Sequence, residues 1–143
     1  MDWTSLAPNF ERDGALRDIC VLGTTVDDWQ RVMDALVQLE PPPSFSLDGK
    51  PAELPACAAR LFELRSVAST LLTLNLESIQ INCHFFGGAE IEFDLDPRDI
   101  TGPAQFDVVL AFMKLLAETT GKVAILTHEN AKEKIIFSAS PSF

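Results

Sequence analysis

The sequence has few basic residues, and this shortage limits what it can bind. Its 143 residues include 11 lysines and arginines against 21 aspartates and glutamates, which gives a formal net charge of −10. Such a surplus of negative charge repels nucleic acids and anionic membrane surfaces. The composition therefore argues against a nucleic-acid or membrane partner, and it favours either a basic protein partner or none.

The chain also lacks long apolar runs and a basic amino-terminal segment. No apolar run approaches the roughly 20 residues needed to span a bilayer, and the start Met1-Asp2-Trp3 has no positive charge of the kind that opens a signal peptide. The three cysteines, Cys20, Cys57 and Cys83, lie in apolar contexts at spacings unsuited to zinc. We therefore expect three buried, reduced thiols in a cytoplasmic protein.

Familiar catalytic and cofactor motifs are missing as well. Gly87-Gly88 has neither the surroundings of a phosphate-binding loop nor a helix after it, and no serine lies in a nucleophile elbow. Cys83 and His84 are consecutive, so on a strand they point to opposite faces and cannot form a catalytic couple. His128 lies in a polar stretch and is expected to be exposed. The sequence thus predicts no cofactor, and it leans away from an enzyme.

What is present is a strong two-residue alternation between residues 71 and 99. With 47% hydrophobic residues and no repeat or linker, the chain is expected to form a single domain over residues 1–143. Apolar residues alternate with polar ones in three consecutive runs, which predicts three strands with one buried face. Turns at Glu77-Ser78 and at residues 87–89 would fold these strands into an antiparallel meander.

The remaining elements predict an α+β fold. Apolar residues at helical spacing predict helices over residues 27–39, 55–65 and 103–121, the first capped by Thr25 and the last by Thr101. Further strands are expected at residues 18–22, 44–47, 123–127 and 135–138. We expect a mostly antiparallel sheet of about six or seven strands with three helices packed on one face. The first β-α-β segment could be parallel, which would make the sheet mixed.

Register across the Gly87-Gly88 turn defines the candidate site. A three-residue loop at 87–89 would place His84 opposite Glu92 and Asn82 opposite Asp94. One face of the sheet would then carry polar side chains only. The candidate binding residues on that face are Asn82, His84, Glu90, Glu92, Asp94 and Asp96.

Three functions remain open for this face. Clustered carboxylates repel one another unless water or a partner relieves them, so the leading prediction is a non-enzymatic module that inhibits or neutralises a basic protein. The alternative is a hydrolase or metal-dependent enzyme in which carboxylates orient His84. The third is a homodimer joined through a sheet edge or the 103–121 helix, whose additional apolar stripe of Val108, Phe112 and Leu115 needs cover.

Overall fold

Eight antiparallel strands form one sheet in the computed structural model, which describes residues 2–142. Their order across the sheet is β3-β2-β4-β5-β6-β1-β7-β8, so the first strand of the chain lies between the sixth and the seventh. The strands are β1 (Arg17–Leu22), β2 (Ser44–Leu47), β3 (Lys50–Pro51), β4 (Thr70–Leu76), β5 (Ile79–Cys83), β6 (Glu90–Leu95), β7 (Ala124–His128) and β8 (Ala131–Ala139).

Four α-helices accompany the sheet. They are α1 (Trp3–Leu6), α2 (Val26–Leu36), α3 (Ala58–Arg65) and α4 (Pro103–Thr120), with short 3-10 turns at Ala7–Phe10 and Pro97–Asp99. None of the helices within residues 2–142 combines the length and apolar character needed to cross a bilayer.

The α+β class is confirmed, but the expected counts of strands and helices were too low. The elements missed are β3, which has two residues, and α1, which has four. Both are too short to show a periodic pattern. The mixed-sheet alternative is wrong, because β1 and β2 are not neighbours and every strand pair in the sheet is antiparallel.

The core lies between the helices and one face of the sheet. Ile19 and Val21 of β1 and Phe93 of β6 point into it, and the Phe112 ring of α4 packs edge-on against Phe93 with centroids 5.0 Å apart. Phe112 is buried as expected, whereas Leu115 is only partly buried. Leu115 borders a shallow groove of about 300 Å³ that also includes Leu39, Leu76, Val108 and Ala111.

The amino-terminal segment packs on the same side as the helices. The rings of Trp3 and Phe10 stack with centroids 5.8 Å apart, and both rings contact Phe106 of α4. Arg17, only 1% exposed, donates hydrogen bonds to the carbonyl of Asn9 at 2.7 Å and that of Leu16 at 3.0 Å. The Arg17 guanidinium therefore satisfies backbone groups that the turn before β1 would otherwise leave unpaired.

The predicted cap of α2 is present, and the predicted cap of α4 is not. Thr25 Oγ1 accepts a hydrogen bond from the backbone N–H of Asp28 at 3.2 Å, and the Asp28 carboxylate accepts one from the N–H of Thr25 at 3.0 Å. At α4 the capping position is Gly102, and no side chain bonds to the helix end. Thr101 therefore serves as a natural comparison for Thr25.

We expect Thr25→Ala to lower the free energy of unfolding by about 1 kcal/mol, because it leaves a helix N–H without its partner. Thr101→Ala, the matched control, should change it by less than about 0.5 kcal/mol. Urea denaturation of both variants measures the difference. Equal losses would show that the cap does not stabilise α2.

Candidate functional site

The face of the sheet opposite the core carries the predicted polar residues. Asn82 of β5 lies opposite Asp94 of β6, and Asn82 Nδ2 donates a hydrogen bond to Asp94 Oδ1 at 3.3 Å. On the next strand pair Thr73 faces Asn82, and Asn75 faces Gln80. The register predicted for Asn82 and Asp94 is therefore confirmed. The predicted turn at Glu77-Ser78 is confirmed as well, because Leu76 and Ile79 pair across it.

The predicted pairing of His84 with Glu92 is wrong. The β5–β6 ladder pairs only Ile81 with Leu95 and Asn82 with Asp94, and β5 ends at Cys83. His84 turns instead toward Asp94, with His84 Nε2 at 3.5 Å from Asp94 Oδ2.

Aromatic packing explains why the ladder stops. Phe85 has φ of +60°, a left-handed conformation that is unusual for a bulky residue, and its side chain is 1% exposed. The centroid of its ring lies 5.3 Å from the ring centroid of Trp29 in α2. The Trp29 indole N–H donates a hydrogen bond to the carbonyl of Gly87 at 3.1 Å. The Thr24 hydroxyl donates to the carbonyl of Gly88 at 2.9 Å. These contacts draw residues 84–89 toward the start of α2 and away from β6.

Strand β1 adds two residues that sequence reasoning did not assign to the site. Asp18 lies directly opposite Asp94, and Cys20 lies opposite Glu92, with the Cys20 thiol 3.9 Å from Glu92 Oε1. Nothing local to residues 18–22 indicates that β1 pairs with β6. We use the name acidic face for the surface formed by Asp18, Asn82, His84, Glu90, Glu92 and Asp94.

Burial, nearly complete at Asp18 and partial at Glu92 and Asp94, disfavours ionisation of three carboxylates on the acidic face. Burial is the main cause that raises the pKa of Asp18, Glu92 and Asp94 above the ordinary carboxyl value. The neighbouring carboxylates raise the pKa of Asp18 and Glu92 further, whereas the Asn82 hydrogen bond and the His84 imidazole oppose the rise at Asp94. Burial, with Glu92 beside it, also raises the pKa of the Cys20 thiol to about 12.

The turn between β7 and β8 and the start of β8 partly compensate this charge. The backbone N–H of Asn130 donates to Asp18 Oδ2 at 2.9 Å, and Lys132 Nζ lies 2.6 Å from Glu90 Oε1. β8 begins at Ala131, so this turn is shorter than the polar loop expected from the sequence, and the β7–β8 ladder is irregular there. Within residues 2–142, Asp18, Glu92 and Asp94 form no ion pair with a lysine or arginine, and Asp94 contacts the His84 imidazole.

Asp96 lies just past the end of β6. It precedes the 3-10 turn at Pro97–Asp99, and its carboxylate accepts hydrogen bonds from the backbone N–H and the guanidinium of Arg98 at 2.6 to 2.9 Å. Asp96 still borders the polar concavity of about 320 Å³ beside the acidic face, together with Leu16, Gln80, Asn82, Asp94 and Asp99.

The predictions for the remaining cysteines and for His128 are only partly confirmed. Cys20 and Cys83 are buried as predicted, but Cys57 is exposed just before α3. His128 is half-buried at the end of β7, with Nε2 at 3.2 Å from Asn9 Oδ1, rather than exposed in a loop. In the part of the chain that the structure describes, no group of three or more His, Cys, Asp or Glu side chains is arranged to hold a metal ion.

Comparison of the chain with protein-family models, with curated proteins and with solved structures found no match. The acidic face is the surface of this protein with the most distinctive chemistry. Its chemistry is that of a cation acceptor: carboxylates from two adjacent strands, an amide and an imidazole, all on the side of the sheet away from the helices.

We expect Glu92→Gln combined with Asp94→Asn to raise the free energy of unfolding at neutral pH by on the order of 0.5 kcal/mol, because it removes repulsion between opposed like charges. Both replacements keep an oxygen acceptor for the existing hydrogen bonds. The pKa values of Glu92 and Asp94 are higher in the folded state than in the unfolded chain. Ionisation of these groups therefore lowers the free energy of unfolding as pH rises above the ordinary carboxyl pKa. The gain should therefore shrink as pH falls and approach zero below about pH 3, where the carboxyls are protonated in both the folded and the unfolded state.

The matched control is Asp107→Asn combined with Glu118→Gln, which removes two exposed charges from α4 in the opposite layer. Thermal and urea denaturation at neutral and acidic pH, with and without added divalent ions, compare the two double variants. A sharp loss of stability in the Glu92/Asp94 variant alone would mean that these carboxylates hold the fold together.

Proposed function

We propose that the protein binds a basic protein partner through the acidic face, and that its role is to inhibit or neutralise that partner rather than to catalyse a reaction. One observation carries this proposal. Asp18 and Asp94 lie directly opposite each other on adjacent strands, next to Glu92, and none of the three pairs with a lysine or arginine within residues 2–142.

This arrangement opposes the stability of the fold. Directly opposed like charges destabilise a sheet, and burial adds to the free energy needed to ionise each carboxylate. Asparagine or glutamine at these positions would keep the hydrogen bonds without the repulsion. A cationic partner offers the missing compensation, because it would convert repulsion among the carboxylates into attraction across an interface.

The acidic face is open enough to be reached by such a partner. The helices pack on the other side of the sheet, and the side chains of Asp94, Glu90 and His84 are 15%, 32% and 40% exposed. Asp18 is buried at 5% exposure, so a partner would contact the β6 carboxylates and His84 directly and would feel Asp18 only through its charge. Partly buried carboxylates act on a nearby cation through less water than fully solvated ones, so their attraction is screened less. The acidic face thus suits electrostatic steering and selection of a basic partner.

The enzymatic alternative combined His84 with the carboxylates Glu92 and Asp94. Of these two carboxylates Asp94 lies beside His84, and the direct pairing of His84 with Glu92 is not formed. The contact between the Asp94 carboxylate and the His84 imidazole, which is 40% exposed, also fits a polar binding surface without a catalytic role.

We expect the protein to bind a cationic probe, octalysine, through the acidic face. Glu92→Gln with Asp94→Asn should weaken binding several-fold, whereas the α4 control Asp107→Asn with Glu118→Gln should change it little, because charge near the contact dominates once salt screens distant charges. Isothermal titration calorimetry measures both affinities.

Salt gives a second test of the same binding. The Debye length shortens from about 10 Å at 0.1 M to about 3 Å at 1 M, so octalysine affinity should fall steadily across this range. If the two double variants bind equally well, the acidic face is not the binding surface. If the wild-type protein does not bind octalysine at low salt, the proposed function is wrong.

A further inference from the structure

Phe86 is a large apolar residue that the fold leaves exposed. It lies in the loop between β5 and β6, where the preceding Phe85 is 1% exposed and Phe86 is 61% exposed. Its ring stacks on the imidazole of His84, with centroids 5.1 Å apart and the planes at 19°. His84 Nε2 in turn lies 3.5 Å from Asp94 Oδ2. The Phe86 ring therefore borders the acidic face through His84.

A guanidinium group already lies over this ring. The guanidinium carbon of Arg65, at the end of α3, is 5.8 Å from the centroid of Phe86. Aromatic rings attract cations placed over their faces, and arginine makes such contacts more often than lysine because its planar group also stacks. Even with Arg65 in place, more than half of Phe86 stays open to solvent.

We propose that Phe86 receives an arginine side chain of the basic partner, so that the acidic face selects guanidinium groups over ammonium groups. This inference rests on the binding function proposed above. Because His84 already stacks on the ring, a partner arginine takes the place of Arg65 over Phe86. Its N–H groups then reach toward the nearby carboxylates, and a carboxylate can accept two of them in parallel. A lysine ammonium has the same charge but neither the flat surface nor the paired donors.

Two further exposed apolar residues extend the same border. Leu22, 46% exposed, is paired with Glu90 of the acidic face, and Val26, 43% exposed, begins α2 beside the loop that carries Phe86. Binding surfaces commonly place an aromatic anchor next to charged groups, and such aromatic residues contribute much of the affinity. The partner that fits is therefore a protein whose basic surface presents arginine next to apolar side chains.

The test compares octa-arginine with octalysine, two peptides of equal length and charge. Wild-type protein should bind octa-arginine about two- to fivefold more tightly, the ratio expected for an exposed cation–π contact. Phe86→Leu should abolish this preference by weakening octa-arginine binding and leaving octalysine binding unchanged. Glu92→Gln with Asp94→Asn should weaken both peptides to a similar degree.

The melting temperature of Phe86→Leu should equal that of the wild type, because the ring is mostly exposed. Phe86→Trp provides a second variant that does not depend on this outcome, since tryptophan binds cations best among the aromatic residues and should increase the arginine preference. Equal binding of the two peptides by wild-type protein, or a preference that survives in Phe86→Leu, would overturn this inference alone. Failure of wild-type protein to bind either peptide would overturn the proposed function as well.

Discussion

The structure depends on covering one face of the eight-stranded sheet with its helices. Because side chains alternate along a strand, burying Ile19, Val21 and Phe93 against the helices forces their neighbours to the other side. Asp18, Glu92 and Asp94 reach that side because of this alternation, and the pairing of β1 with β6 brings them together. The acidic face is therefore a direct consequence of how the core is built.

The fold limits the resulting repulsion without removing it. Asn130 donates to Asp18, Asn82 donates to Asp94, and Lys132 pairs with Glu90, so each of these carboxylates has at least one favourable contact. These contacts come from three different elements, and together they hold the carboxylates in place while leaving the charge on the acidic face unbalanced. Fixed, incompletely neutralised charge is what a protein needs to attract and select an oppositely charged partner.

Local pattern predicted much of this site, and long-range contacts decided the rest. The alternation in residues 72–83 and 91–95, combined with an assumed three-residue loop at 87–89, placed Asn82 opposite Asp94. The register is correct although the connection is longer than that loop. It could not show that Phe85 would leave the ladder, because that depends on Trp29, more than fifty positions earlier in the chain. Nor could it place Asp18 in the site, since the apolar pattern of β1 fits several positions in a sheet and only the tertiary fold sets it beside β6.

The most direct measurement of the central claim is a map of backbone amide shifts in isotopically labelled protein titrated with octa-arginine. If the acidic face is the binding surface, the largest shifts will fall on β1, β6, the end of β5 and residues 84–86, and they will saturate together. Shifts that are largest on α2 or α4, around Asp34, Asp107 and Glu118, or that are spread evenly over all exposed carboxylates, would contradict the account.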